Sequence, residues 1–250
     1  MSGRSTATEA STLDAGSGAK DGPPFPLVLP SELELAALKR WKQQHWVEFA
    51  LLALARGGIE AVRIEDLARR SDRTPGSFYS HFPNREALLD AMVEDWLRRK
   101  LTQVDWVHDH LRRTGRFSLS GILQDAAERR AGRWTGQSGS ELELAMRIWA
   151  QNNPRALCAV RRVDALRIDA ARQMVLAEYP GAEHPTEIGL LLNWILAGRH
   201  IVFLDSAELA LPTQGDTAAK LLLKLAGADA GPASAAPGVP RKPAARRRRK

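Results

Sequence analysis

The stretch IEDLARRSDRTPGSFYSHFPNREAL, residues 64–88, decides the fold. Ile64 and Leu67 begin an apolar face with helical spacing, so the stretch opens as a short helix. The polar triplet that follows interrupts this face. Thr74 and Pro75 then form the N-cap and first-residue pair with which a new helix starts, because proline at the first helical position loses no hydrogen bond. The pattern predicts two short helices joined by a tight turn.

The second of these helices has two chemically different faces. Phe78 and Phe82 stand one helical turn apart and predict a buried side, whereas the other side carries only hydrogen-bonding groups. Asn84 follows and is placed to cap a third helix. This is the helix-turn-helix plan, whose second helix enters the major groove of DNA. An ordinary helical hairpin has the same spacing, and spacing alone does not separate the two interpretations.

The residues around this plan resemble the N-terminal DNA-binding domain of TetR-family transcriptional regulators. The matching residues lie between Trp46 and Leu88: Glu48, Ala50, Gly58, Leu67, Ala68, Gly76, Phe78, Tyr79, His81, Phe82, Arg85, Glu86, Ala87 and Leu88. Three positions depart from the family pattern. Val62 stands where a Thr or Ser usually caps a helix, Asp72 replaces the usual turn glycine, and Arg73 replaces a small apolar residue. Aspartate tolerates left-handed backbone better than most residues, so it suits that turn.

The resemblance implies an all-α homodimer, usually a repressor, that binds double-stranded DNA. Phosphate contacts are then expected from Thr74, Tyr79, His81 and Arg85, and the base-facing surface from Pro75, Gly76, Ser77 and Ser80. Arg63 and Arg73 are further candidates for DNA contacts. Because a two-fold dimer presents two recognition helices, the operator is expected to be palindromic. The family also carries a variable C-terminal domain that binds a small molecule.

Charge and composition narrow the class of protein. The chain of 250 residues has a formal net charge of +7. Residues 241–250 carry an excess of positive charge with no acid, so the rest of the chain is nearly neutral. Cys158 is the only cysteine, which excludes an intrachain disulfide, and no apolar run is long enough to span a membrane. We therefore expect a cytoplasmic protein without membrane segments.

The chain divides into four predicted segments. Residues 1–30 are rich in small and polar residues and are expected to be disordered, residues 31–100 hold the helix-turn-helix domain, residues 101–227 a helical effector-binding and dimerisation domain, and residues 228–250 a disordered basic tail. A capping box at Ser31 and Glu34 predicts one helix from there to Arg56. Lys39, Arg40 and Lys42 within it either touch phosphate or form a solvated face. The basic tail is likewise either an electrostatic arm for DNA or a solvated end.

The second domain is predicted to be helical throughout. The expected helices are residues 120–131, a helix opened by a capping box at Ser140 and Glu143 and ending near Asn152, a long helix from Asn153–Pro154 to Tyr179, residues 187–204 capped by Thr186, and residues 216–226. Met146, Trp149, Met174 and Trp194 combine apolar bulk with nearby polar groups. That composition is typical of a ligand pocket for a small apolar or aromatic effector, and equally of an ordinary core.

Other classes of function have weaker support. His108 and His110, with Asp105 and Asp109, do not share a helix face, which argues against a metal site. No catalytic triad order, Walker loop or dinucleotide fingerprint occurs, so we expect no enzyme and no cofactor. The alternative that remains is an architectural or cell-cycle DNA-binding protein of the same fold without an effector.

Overall fold

A computed structural model describes residues 29–117 and 139–198, together with residues 221 and 224. The elements in the two long ranges are α1 (Glu32–Ala36), α2 (Gln43–Gly57), a 3-10 turn (Ile59–Ala61), α3 (Ile64–Arg70), α4 (Pro75–Tyr79), α5 (Arg85–Thr114), α6 (Gly139–Ala150), α7 (Pro154–Glu178) and α8 (Pro185–Gly198). No strand occurs in these ranges, and the predicted all-α fold is confirmed. The predicted helix 120–131, most of the predicted helix 216–226 and most of both terminal segments lie outside the described residues.

Local capping positions α3, α4 and α5 as the sequence predicts. The Thr74 hydroxyl accepts a hydrogen bond from the Ser77 amide at 3.2 Å, and Pro75 is the first residue of α4. The Asn84 side chain accepts from the Ala87 amide at 2.9 Å and starts α5. Asp72 adopts a left-handed φ of 55°, the conformation that a glycine would otherwise supply in the turn. These contacts fix the direction in which α4 leaves the turn.

The N-terminal region corrects the prediction of one helix from Ser31 to Arg56. The capping box of Ser31 and Glu34 forms, with the Ser31 amide donating to the Glu34 carboxylate at 2.7 Å, but α1 ends at Ala36. The Trp41 indole N–H donates to the Leu35 carbonyl at 2.9 Å, and the Trp41 ring packs edge-on against Trp46. Burying Trp41 thus folds the chain back, and α2 starts afresh at Gln43.

The longest helix, α5, joins the helix-turn-helix to the rest of the molecule. It runs for 30 residues without a break and ends at Gly115, whose left-handed φ of 63° closes it. Leu88, Met92 and Trp96 on its first half are buried. Since the helix passes residue 100 uninterrupted, the predicted domain boundary there is not a break in the backbone.

Two hydrophobic cores lie along α5. The first joins the helix-turn-helix to α6 and the beginning of α7, so that Trp46 and Phe78 share a core with Met146 and Trp149. The second joins the later half of α5 to the later half of α7 and to α8, and it includes Val104. The DNA-binding part and the first half of the C-terminal region therefore pack as one body.

A layer of charged side chains crosses α5 and α7 between the two cores. The buried Glu143 carboxylate on α6 lies 2.7 Å from Lys100 Nζ and accepts from Arg167 at 2.9 Å. Arg147 donates to Glu143 at 3.0 Å and to Asp164 at 2.6 Å. The predicted capping box at Ser140 and Glu143 is therefore wrong about Glu143, since α6 already begins at Gly139 and three cations occupy its carboxylate.

The later helices follow the predicted starts closely. The Asn153 side chain accepts from the Ala156 amide at 2.9 Å and begins α7. Helix α8 begins at Pro185, so Thr186 lies inside it instead of capping it. A Cβ added at Gly189 would lie 2.9 Å from the Ile168 carbonyl oxygen, so this glycine allows α7 and α8 to approach closely.

Candidate nucleic-acid interface

Helix α4 presents one apolar and one exposed face, as its sequence predicts. Phe78 and Phe82 are buried with ring centroids 5.5 Å apart, and Phe78 packs edge-on against Trp46 at 5.4 Å. Tyr79 is 53% exposed, with its ring edge against Phe78. Among the other candidate residues, Thr74, Pro75, Gly76 and Ser80 are exposed. Ser77 and His81 are half-buried. The sequence predicts an exposed His81, whereas the structure shows it half-buried.

The hydroxyl groups of α4 also serve the helix itself. Ser80 Oγ donates to the Ser77 carbonyl at 2.7 Å, and Thr74 caps the helix. A Cβ added at Gly76 would meet no atom closer than 3.8 Å, so its surroundings are open. The face formed by Pro75, Gly76 and Tyr79 is accessible to a large partner.

The arginines near α4 hold the domain together more than the sequence indicates. Arg85 is half-buried, and its guanidinium donates to the Val62 carbonyl at 2.7 Å and to the Ile59 carbonyl at 3.1 Å. This ties the 3-10 turn to α5 beside Arg63, which occupies the N-cap of α3 without a side-chain cap. Val62 is buried and cannot supply the capping hydroxyl that the family usually has there. The hydrogen bonds from Arg85 hold this loop instead.

Arg73 also turns toward the protein. Its guanidinium donates to the Leu38 carbonyl and, at 3.5 Å, to the Ala36 carbonyl, and it lies 5.6 Å from the centre of the Trp41 ring. Arg73 and Arg85 thus have intramolecular partners in this structure, and their contacts with DNA stay predictions. Arg63 remains exposed, 3.7 Å from Glu60.

A polar network that the sequence did not reveal fixes α2 on α5. Buried Asp95 accepts from Gln44 at 3.1 Å and from Arg99 at 2.5 Å, and Arg99 also pairs with Glu48 at 2.8 Å. Gln44 and Asp95, like Glu48 and Arg99, are 51 residues apart along the chain, so no local spacing points to these contacts between α2 and α5. The network explains why a glutamate stands at position 48 in α2.

Comparison with known proteins identifies this architecture. The family model for bacterial regulatory proteins of the tetR family matches residues 48–92, which include α3, α4 and the start of α5. Residues 48–92, and with them the helix-turn-helix, are thus similar to bacterial regulatory proteins of the tetR family. A comparison with curated protein sequences found no match.

Solved structures share the fold across most of the chain. GusR of Salmonella enterica is 17% identical, with a TM-score of 0.54 over 74% of this chain and 95% of its own. A transcriptional regulator of Rhodococcus sp. Rha1 is 13% identical, with a TM-score of 0.54 over 74% of this chain and 96% of its own. At these identities the likeness shows the fold alone. Together, the helix-turn-helix and the family match over residues 48–92 support a DNA-binding transcriptional regulator.

The structure does not gather the predicted pocket residues into one cavity. Met146 and Trp149 fill the first core, and Met174 belongs to the second. Trp194 on α8 is 60% exposed. Their composition therefore corresponds to core and surface positions, which was the other interpretation of the same residues.

An open cleft of about 420 Å³ lies instead between the C-terminal halves of α5 and α7. Its lining residues are His108, Leu111, Arg112, Gln173 and Ala177. The His108 Nε2 atom is buried without a hydrogen-bond partner among the described residues, and the Gln173 amide donates to Asp169 at 2.7 Å. The cleft thus combines apolar surface with unsatisfied and charged polar groups.

The described residues hold neither a metal site nor a membrane-spanning helix. No group of three or more His, Cys, Asp or Glu side chains is arranged to hold a metal ion there. None of the helices described has the length and apolar character needed to cross a membrane.

Proposed function

We propose that this chain is a cytoplasmic, homodimeric repressor, not an enzyme, that binds a palindromic operator through α4 and is released by a small molecule. The observation that carries the proposal is the presentation of α4. Phe78 is buried in a core that continues into α6 and α7, whereas Tyr79 and the N-terminal turn of the helix are exposed. A rigidly seated helix with an open polar face is what reading a DNA groove requires.

The exposed groups of α4 divide by chemistry. Thr74, Tyr79 and His81 are proposed to donate hydrogen bonds to phosphate, which sets the register of the protein on the duplex. Pro75, Gly76, Ser77 and Ser80 are proposed to face the bases, because Gly76 allows the backbone to come near the groove floor. Arg63, the exposed arginine of the set, is proposed as a further phosphate contact.

Dimerisation is proposed through α8. Trp194 is 60% and Ile195 40% exposed on this helix, whereas Ile188 and Leu192 pack inward. Large apolar side chains left next to each other in water mark an interaction surface. A two-fold axis at this surface would place the α4 helices of both protomers on one face of the DNA.

The proposed effector site is the cleft between α5 and α7. Its lining favours a small molecule with an apolar part against Leu111 and Ala177 and acceptor groups near His108 and Arg112. The sequence alone predicts a small apolar or aromatic effector, and the lining of this cleft adds polar groups to that expectation. Because the first turns of α5 belong to the DNA-binding domain and its last turns line the cleft, a ligand that binds one α5 arrangement better shifts the population that binds DNA.

The test is footprinting on DNA that flanks the protein's own gene, followed by a ligand screen. Protection of a palindromic site, lost on adding a compound that raises the melting temperature, is the expected result. Binding without sequence preference, with no compound that releases the DNA, would instead indicate an architectural protein. His108→Ala should abolish the thermal shift while leaving operator binding intact, which separates the effector site from the DNA-binding surface.

A further inference from the structure

Three exposed cations occupy the loop between α1 and α2. Lys39, Arg40 and Lys42 are all exposed, and residues 37–42 contain no acid. None of the three pairs with a carboxylate within the described ranges. Like charges held this close repel one another unless an anion lies nearby. The loop, residues 37–42, is named the basic loop below.

The basic loop is fixed to the turn that precedes α4. Arg73 donates to the Leu38 and Ala36 carbonyls and lies over the ring of Trp41. The Trp41 indole is buried against Trp46 and Phe49, with ring centroids at 4.7 and 5.3 Å. The backbone of the loop is therefore held by hydrogen bonds and aromatic packing, while its charged side chains point to solvent.

Helix α1 anchors the other end of the basic loop. Glu32 pairs with Arg56 on α2 at 2.8 Å and also with Arg70 on α3. The Glu32 carboxylate is thus neutralised by arginines of α2 and α3. It does not compensate the cations of the basic loop. Since Arg73 directly precedes Thr74, the basic loop lies one arginine side chain away from the N-terminus of α4.

We propose that Lys39 and Arg40 bind the phosphate backbone of DNA beside the groove that α4 enters. The proposal rests on the proposed DNA binding through α4 and adds a second contact surface to it. The basic loop has no helix or strand that could enter a groove. Its exposed Lys and Arg side chains therefore suit phosphate groups, which carry no sequence information. Arg73, which stands where the family has a small apolar residue, serves as the positioning residue of this surface.

The decisive experiment compares two matched double variants. Lys39→Gln with Arg40→Gln removes the two proposed contacts. Arg161→Gln with Arg162→Gln removes the same charge from an exposed part of α7 whose arginines form no ion pair among the described residues. Binding of a random-sequence duplex of about 30 base pairs is measured by fluorescence anisotropy across a series of salt concentrations.

The two variants should differ in salt dependence. Each lost phosphate contact lowers the slope of log K against log salt by about 0.9, so the first variant should lose about 1.8 per protomer. At about 0.1 M salt its affinity should fall roughly tenfold or more, with an unchanged melting temperature. If the slope of the first variant equals that of the α7 control, the basic loop is a solvated face and the proposal is overturned.

A third variant tests the positioning role of Arg73. Arg73→Lys keeps the charge but replaces the planar guanidinium, which reaches both carbonyls and lies over the Trp41 ring, by a compact ammonium on a shorter side chain. We expect faster hydrogen exchange at residues 37–42 and a smaller loss of affinity in the same direction. Faster exchange with wild-type affinity would show that the fixed position of the loop is irrelevant and would overturn this role.

The same data separate this inference from the proposed function. If the wild-type protein binds no duplex at any salt concentration, DNA binding itself is refuted. If the wild-type protein binds and protects a palindromic site while the Lys39 and Arg40 variant behaves like the control, only the basic loop proposal fails.

Discussion

At the level of the residue, Tyr79 is the clearest test of the face that α4 presents. Its ring leans on buried Phe78 while its hydroxyl end reaches solvent, so truncation removes a contact without opening the core. Tyr79→Ala should weaken binding to operator and random DNA by a similar factor, about five- to tenfold for one lost hydrogen bond. Anisotropy titrations with both duplexes measure this.

The matched change at the base-facing surface is Ser77→Ala. It should alter the preference between operator and random DNA more than it alters the affinity for random DNA, because base contacts carry the sequence information. If Tyr79→Ala leaves both affinities intact in a folded protein, the register assigned to α4 is wrong.

Glu143 is the residue on which the charged layer between the two cores depends. Burial acts to raise the pKa of its carboxyl, but the charges of Lys100 and Arg167 and the hydrogen bonds they donate outweigh this and hold the pKa well below its usual range. Glu143→Gln would leave three cations, Lys100, Arg147 and Arg167, near a neutral amide. We expect a loss of about 3–5 kcal/mol in the free energy of unfolding, as for other broken buried ion pairs.

The pH dependence of that loss follows from the direction of the shift. A carboxyl whose pKa is lower in the folded protein contributes stability above its unfolded pKa and loses it as the pH falls. The difference in melting temperature between wild type and Glu143→Gln should therefore narrow below about pH 4. Glu141→Gln, on the exposed side of the same helix, is the control and should change little at any pH. A gap that stays constant down to acid unfolding would contradict the assigned pKa direction.

At the level of the element, α8 depends on its close approach to α7 at Gly189. A side chain there would meet the Ile168 carbonyl oxygen at 2.9 Å and the Arg172 amide nitrogen at 3.0 Å, both backbone atoms that cannot swing away. Gly189→Val should destabilise the protein by about 1–3 kcal/mol through overpacking. Thermal unfolding measures this. Gly198→Ala is the control, since nothing lies within 4 Å of a Cβ added at Gly198, and equal melting temperatures for both variants would contradict the packing described.

The elements show which features a sequence predicts and which it does not. Helix starts at Thr74, Asn84 and Asn153 were predictable because each cap binds an amide only three residues away. The break between α1 and α2 was not predictable in this way. It depends on the burial of Trp41, which donates to the Leu35 carbonyl, and on Arg73, whose carbonyl partners lie more than thirty residues away. Local spacing carries the first kind of information and not the second.

The same distinction explains the candidate sites. The two faces of α4 follow from the spacing of Phe78 and Phe82, so its exposed surface was predictable. Glu143 matched a local capping pattern although its partners come from residues 100 and 167, on other helices. The pocket failed for the same reason, since the position of Trp194 relative to Met146 depends on how α6 and α8 are arranged.

At the level of the whole molecule, α5 connects the proposed sites. Its first turns pack in the core shared with α4, and its last turns line the cleft through His108 and Leu111. The charged layer at Lys100 crosses the helix between these regions and joins α5 to α6 and α7. A change in the cleft that is carried by α5 reaches α4 either by moving α5 past this layer or by moving both together. Coupling between effector and DNA should therefore be sensitive to Glu143.

Assembly of the molecule is tested at the exposed apolar face of α8. Ile195→Glu places a charge beside Trp194, where desolvation in a two-fold interface would be costly. We expect a folded monomer by sedimentation, with operator affinity reduced by at least about tenfold because the two half-sites are no longer held together. Footprints of the wild-type protein should show half-sites about 34 Å apart, or a multiple of one DNA turn.

A matched change separates this effect from the mere addition of charge. Leu33 on α1 is also exposed, so Leu33→Glu adds the same charge at an apolar position outside α8 and should leave the dimer intact. A charge at Leu196, in the same apolar stretch of sequence, is expected to have the same effect. The Leu196 side chain lies outside the described residues. If Ile195→Glu sediments as a dimer and protects the operator like the wild-type protein, the two-fold axis does not pass through this face of α8. The recognition helices would then be paired by another surface.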